Sequence, residues 1–123
     1  MGRSILFVDD ERSILKSLER LFFDSDLDVS FAESGAEGLR ILASQPIDIV
    51  VSDMKMPEMD GHQFLRQVKK SFPGTTRIIL SGFAGENELF ESIIDGSNSL
   101  YLIKPWKGEE LKATIERIFA ARD

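Results

Sequence analysis

Cysteine is absent from the 123 residues, and tryptophan, tyrosine and histidine each occur once. Without cysteine there are no disulfides and no thiolate metal sites, which suits a reducing cytoplasm. The only histidine, His62, reads as a solvated residue in the first turn of a helix rather than a metal ligand or a phosphohistidine. Long apolar runs are missing too. Met1-Gly2-Arg3-Ser4 leads into Ile5 to Val8, too short for a signal segment or a membrane span, and two aspartates follow at once. An excess of basic charge is also lacking. Fifteen Lys and Arg against 21 Asp and Glu leave a formal charge of −6, which argues against nucleic-acid binding by this domain. A DNA-binding domain elsewhere in a longer chain stays compatible with that charge.

What is present is an ordinary globular balance, 42% hydrophobic and 29% charged, enough for one domain over residues 1–123. Short apolar runs alternate with helix-period segments. Ile5–Val8 reads as a buried strand, and Ile14, Leu18, Leu21 and Phe22 mark one face of a helix. Leu27 to Phe31 alternates with period two, as an edge or half-buried strand does. Ser34 to Glu37 has the pattern of a capping box opening a helix with Leu39, Leu42 and Ala43. Pro46 turns the chain into a third strand, Ile47–Val51. Asp60 with Gln63 caps a third helix whose Phe64, Leu65 and Val68 face inward, and Pro73-Gly74 ends it. Arg77–Leu80 is a fourth strand, Glu86 to Asp95 a fourth helix and Leu100–Ile103 a fifth strand. A last helix carries Leu111, Ile115, Ile118 and Phe119. Strands alternating with helices predict an α/β fold: a (βα)5 sandwich around a parallel sheet in the doubly wound order 2-1-3-4-5.

In such sheets the site lies beyond the carboxyl ends of the strands. Strand one ends in Asp9-Asp10, strand three in Asp53, strand four in Ser81-Gly82 and strand five in Lys104-Pro105. Strand two ends in Ala32-Glu33, outside this group. Three close carboxylates repel one another and call for a cation. Oxygen ligands without His or Cys favour a hard ion such as Mg2+. A carboxylate can also be the nucleophile of phosphoryl transfer, with metal and lysine neutralising the transferred group. Taken singly, each residue has a plainer reading: helix cap, loop charge or ordinary turn. Together at one edge they favour a site.

These pieces resemble the receiver domain of response regulators along nearly the whole chain. The matching stretches are Ile5 to Glu11, Asp48 to Gly61 around Asp53, Ile79 to Gly82, and Tyr101 to Pro105. The resemblance implies a flavodoxin-like fold and a role for each position. Asp53 accepts a phosphoryl group from a histidine kinase or phosphotransfer protein. Asp10, Asp53 and the backbone carbonyl of Lys55 bind Mg2+, and Asp9 assists through water or charge. Lys104 pairs with Asp53 and then with the phosphoryl group. Ser81 turns towards the phosphoryl oxygens as Tyr101 moves inward. Pro57 and Gly61 shape the loop after Asp53, and the Lys104–Pro105 bond is cis. Three features depart from the common pattern: Ser81 in place of threonine, Lys55 beside the site, and a slightly long Asp95–Leu100 stretch.

The resemblance further implies a switch whose readout surface is the fourth helix, fifth strand and fifth helix. That surface would serve an output domain or effector, or a homodimer. Leu89, Phe90, Ile93, Ile94 and Trp106 supply apolar surface there, most of it explained by core packing. Lys104-Pro105-Trp106 resembles receivers joined to other signalling modules, including cyclic-dinucleotide phosphodiesterases and hybrid kinases. Other readings are an aspartyl-phosphate hydrolase, a flavodoxin-like cofactor domain and a degenerate receiver that only binds partners. The first lacks a second aspartate two residues after Asp53, where Lys55 stands. The second lacks a hydroxyl- and glycine-rich cradle after strand one. The third is disfavoured by the intact set of Asp9, Asp10, Asp53, Ser81 and Lys104. The expectation is a self-modifying switch rather than an enzyme acting on outside substrates.

Overall fold

The computed structural model describes residues 3–81, 99–103 and 108–122. Its strands are β1 (Ser4–Val8), β2 (Asp28–Ala32), β3 (Ile49–Asp53), β4 (Thr76–Ser81) and β5 (Ser99–Ile103). Its helices are α1 (Arg12–Leu21), α2 (Gly35–Ser44), α3 (Gly61–Ser71) and a C-terminal helix, Gly108–Arg122. The strands form one sheet in the order β2-β1-β3-β4-β5, and every pairing is parallel. This is the doubly wound architecture expected from the alternating pattern. β3 starts and ends two residues later than the apolar run suggested, so Asp53 is itself the last residue of the strand. β2 is likewise displaced by one residue. The expected fourth helix, Glu86 to Asp95, lies outside the described residues, as do Leu89, Phe90, Ile93, Ile94 and Trp106.

Side chains of a strand alternate between the two faces of a sheet. Leu6, Val8, Val50 and Ile79 therefore meet α2 and α3 on one side, through Leu42, Phe64, Leu65 and Val68. Ile5, Phe7, Ile49, Val51, Ile78 and Leu80 meet α1 and the C-terminal helix on the other, through Leu15, Leu18, Leu111, Ile115 and Phe119. Burial on both faces explains why β1 and β3 read as continuous apolar runs. On α1 it is Leu15 and Leu18 that are buried. Ile14 and Leu21 pack at the margin. Gly38 lets α2 approach the sheet, since a Cβ there would lie 3.0 Å from the Phe64 ring and 3.2 Å from Val8.

The two helix starts resolve differently. At α3 the box is complete: the Asp60 carboxylate accepts from the Gln63 amide at 2.8 Å, and the Gln63 side chain accepts from the Asp60 amide at 3.0 Å. At α2 the Ser34 hydroxyl accepts from the Glu37 amide at 3.1 Å. The Glu37 carboxylate reaches past Ser34 to the amide of Glu33, at 2.8 Å, so the reciprocal half of the expected box is displaced by one residue. At the amino edge of the sheet, Asp48 ties β3 to β1. Its carboxylate accepts from the Ser4 amide at 2.9 Å and the Ser4 hydroxyl at 3.1 Å. No helix among the described residues is long and apolar enough to cross a membrane.

Two substitutions on α3 separate cap from core. Asp60→Ala should lower stability by about 1 kcal/mol through loss of the cap, and Phe64→Ala by about 3–5 kcal/mol through a cavity between α3 and the sheet. Urea unfolding midpoints at constant m-value check the ranking; equal losses would contradict it.

Candidate functional site

The parallel register sets the site. Val8 pairs with Ser52 between β1 and β3, and Asp53 pairs with Leu80 between β3 and β4. The next residue of β1's chain, Asp9, is therefore level with Asp53. β1 and β3 are also where the chain switches from winding one way to winding the other, and their carboxyl ends flank the crevice that results. Carboxylate oxygens of Asp9, Asp10 and Asp53 all lie within 4.8 Å of one another. Asp9 and Asp53 are buried, at 3% and 7% exposure, while Asp10 faces solvent.

Each carboxylate is held differently. Asp9 accepts a hydrogen bond from the Glu11 amide at 2.9 Å, and its own amide donates to the Ala32 carbonyl at 3.1 Å. Asp9 thus braces the entry to α1 as an Asx-type turn. The helix itself starts at its N-cap Glu11 without a side-chain cap. The positive end of α1 also faces this cluster and lowers the cost of gathering negative charge. Asp53 is fixed from behind. The buried Ser52 hydroxyl donates to the Asp53 carbonyl at 2.9 Å. The Met54 amide donates to the Leu80 carbonyl at 3.2 Å, and the Gly61 amide to the Met54 carbonyl at 2.8 Å. A Cβ at Gly61 would collide with the Asp53 carbonyl oxygen and stand 2.9 Å from the Met54 Cα. Only glycine lets α3 begin this close to the backbone of Asp53.

The carbonyls of Asp53 and Met54 are thus engaged, and the next one along the loop is that of Lys55. Lys55 and Pro57 are exposed. Glu58 follows with φ 67°, the only positive φ of a non-glycine residue among the described residues, and the Met59 amide closes the tight turn onto the Pro57 carbonyl at 2.7 Å. Ser81 ends β4 one residue beyond the partner of Asp53, and Tyr101 lies within β5 opposite Ile79. Their backbones occupy the expected strands. Lys104, Pro105 and Gly82 lie outside the described residues. Glu33, at the end of β2, is drawn away from the cluster. It forms a 2.8 Å ion pair with Arg12 and holds that guanidinium above its ordinary pKa, by hydrogen bond and charge.

The donor set is oxygen only, which suits a hard divalent cation. Two ligands of one Mg2+ ion can be at most about 4.2 Å apart, twice the ~2.1 Å metal–oxygen distance. The three carboxylates are close to that limit and would fit with two bound directly and the third through water. Sequence reasoning did not find Ser52 or the role of Met54. Ser52 gave no signal because it stood just past the expected end of the third strand, and Met54 is placed here by its backbone hydrogen bonds.

The fold and the site define a doubly wound α/β protein with an acidic, oxygen-only site at the switch point of its sheet. Residues 5–116 match the response regulator receiver domain, and the chain belongs to that family. It is 37% identical over 112 residues to the transcriptional regulatory protein GlrR of Escherichia coli, covering 91% of this chain and 25% of that protein. It is 36% identical over 118 residues to the DNA-binding transcriptional regulator NtrC of the same organism, covering 95% and 25%. The chain thus spans about a quarter of these curated relatives. The receiver domain of an HD domain-containing protein from Pseudomonas fluorescens superposes with a TM-score of 0.88 at 31% identity, covering 98% of this chain and 97% of that one. Receiver domains of this family are signalling switches of two-component systems rather than conventional enzymes.

Crowded carboxylates oppose folding until a cation joins them. Asp10→Asn should therefore raise Tm by roughly 3–6 °C in EDTA and reduce the further rise that Mg2+ gives the unsubstituted chain. Scanning calorimetry with EDTA or millimolar Mg2+ checks both; a variant less stable in EDTA would contradict the repulsion. Gly61→Ala should cost about 3 kcal/mol or more, because backbone atoms cannot yield to a methyl group; denaturant unfolding reads it.

Proposed function

We propose that this chain is a phosphoacceptor receiver, one domain over residues 1–123, that takes a phosphoryl group onto Asp53. The donor would be a phosphohistidine of a histidine kinase or phosphotransfer protein. A carboxylate oxygen of Asp53 attacks phosphorus, a P–O bond forms, and the N–P bond to the donor imidazole breaks. The observation that carries this reading is the meeting of Asp9, Asp10 and Asp53 at the switch point, with Asp53 held rigidly from behind by Ser52 and Gly61. A nucleophile fixed in place needs little reorganisation when the donor arrives.

Mg2+ would supply charge neutralisation for the transferring group. Asp10, Asp53 and the Lys55 carbonyl would be its direct ligands, with Asp9 assisting through water. Lys104 balances the remaining charge and Ser81 donates to a phosphoryl oxygen. Tyr101 follows Ser81 inward, and Pro57, Gly61 and Pro105 hold the loops that present these groups. Phosphorylation adds charge and acceptor oxygens at one point, which biases a two-state arrangement of the surface formed by the expected fourth helix, β5 and the C-terminal helix. That surface would signal to an output domain or effector, or to a second receiver as a homodimer, within the cytoplasm. The GlrR and NtrC relatives are transcriptional regulators several times longer, which supports control of another domain over action by the receiver alone.

Incubation with a small phosphodonor should give a single adduct by mass, dependent on Mg2+, labile to hydroxylamine and lost in Asp53→Asn. No adduct with any donor would overturn the proposal in favour of a receiver that only binds partners. Lys55→Ala should change the rate at which the adduct hydrolyses, read by the decay of its mass; an unchanged rate would remove Lys55 from the site's control.

A further inference from the structure

A second feature lies at the opposite edge of the sheet. Beneath the amino ends of β1 and β2, a cavity of about 490 Å3 opens between the segment after α1 and the C-terminal helix. Its apolar wall is Phe22, Leu27 and Phe119, and its charged rim is Arg3, Lys112, Asp24, Asp26 and Glu116. The Arg3 guanidinium lies over the Phe119 ring at 5.5 Å, and Lys112 and Asp24 stand 3.8 Å apart. Its size is within the range of pockets that accept small organic groups.

Beside this cavity is Phe23, 86% exposed and the only large hydrophobic residue so placed among the described residues. Its chain neighbours Phe22 and Asp24 both line the cavity. Plug and socket are thus adjacent on one molecule. The rim is mixed in the same way, two cations against three anions, on a chain that carries a net charge of −6. A partner of another kind needs only one half of such a surface. A two-fold pair needs both halves on each copy, because the same patch meets itself reversed.

We infer that this edge is an interface between two copies of the chain, with each Phe23 ring entering the other copy's cavity. Arg3 and Lys112 of one copy then face Asp24, Asp26 and Glu116 of the other. Near balance of the rim allows two acidic molecules to meet here despite their overall repulsion. Each copy carries a net charge of −6, so the pair is expected to be weak and reversible. It lies a strand's length, about 16 Å, from the acidic cluster, and needs no phosphoryl group.

Sedimentation equilibrium of the unmodified chain, from roughly 10 to 500 micromolar, tests this. Reversible dimerisation is expected. Phe23→Asp should weaken it by about thirtyfold or more. Lys112→Glu should weaken it less, by severalfold, with more loss at low salt than at high. Phe23 is exposed, so its substitution should leave the circular dichroism unchanged. A chain that stays monomeric across the range overturns the proposal, as does a Phe23→Asp variant that dimerises as tightly as the parent.

Discussion

Three negative charges within 4.8 Å of one another are the condition to which the carboxyl edge of this molecule is built. Like charges at that spacing oppose the folded state, and two of them are buried. The surrounding structure offsets the strain in identifiable ways. The Glu11 amide takes one oxygen of Asp9, α1 directs its positive end at the cluster, and Asp10 is left in solvent. An oxygen-only cluster of this kind suits a hard cation.

The amino edge of the sheet is organised on different terms. There the single carboxylate of Asp48 is satisfied by the amide and hydroxyl of Ser4, which fastens β3 to β1. Arg77, fully buried at the start of β4, donates to the Thr75 carbonyl at 3.0 Å. Polar groups at this end close the fold. The same residue type, aspartate, thus does opposite work at the two ends of β3: Asp48 is saturated by partners from its own chain, and Asp53 is presented towards the crevice.

Much of this was legible in the sequence, for physical reasons. A parallel sheet buried on both faces leaves unbroken apolar runs, so β1, β3 and β4 announced themselves, and the acids that end β1 and β3 marked the edge where chemistry collects. Asp60 and Gln63 spelled out their capping box because both halves are local. The register was not legible: it depends on long-range pairing, and Ile47 extends the apolar pattern as well as the residues that pair. Nor was the division of labour between Asp9 and Asp10, which turns on which of two neighbouring carboxylates bends back to an amide. The Glu37 side chain passed over Ser34 for Glu33, a choice between equivalent donors one residue apart that spacing alone does not decide. The exposure of Phe23 was not legible either: it follows Phe22 directly, and α1 ends at Leu21, just before both.

The close seating of Gly61 on Asp53 has a consequence for how such a domain can move. α3 starts against the carbonyl of Asp53, is capped on both counts by Asp60 and Gln63, and buries Phe64, Leu65 and Val68 into the sheet. It is anchored to the residue proposed to take the phosphoryl group. On the proposed function, α3 would be the stator. A stroke that follows modification of Asp53 would then be taken up on its far side, where β4 and β5 end, and the fixed flank would give that motion its direction.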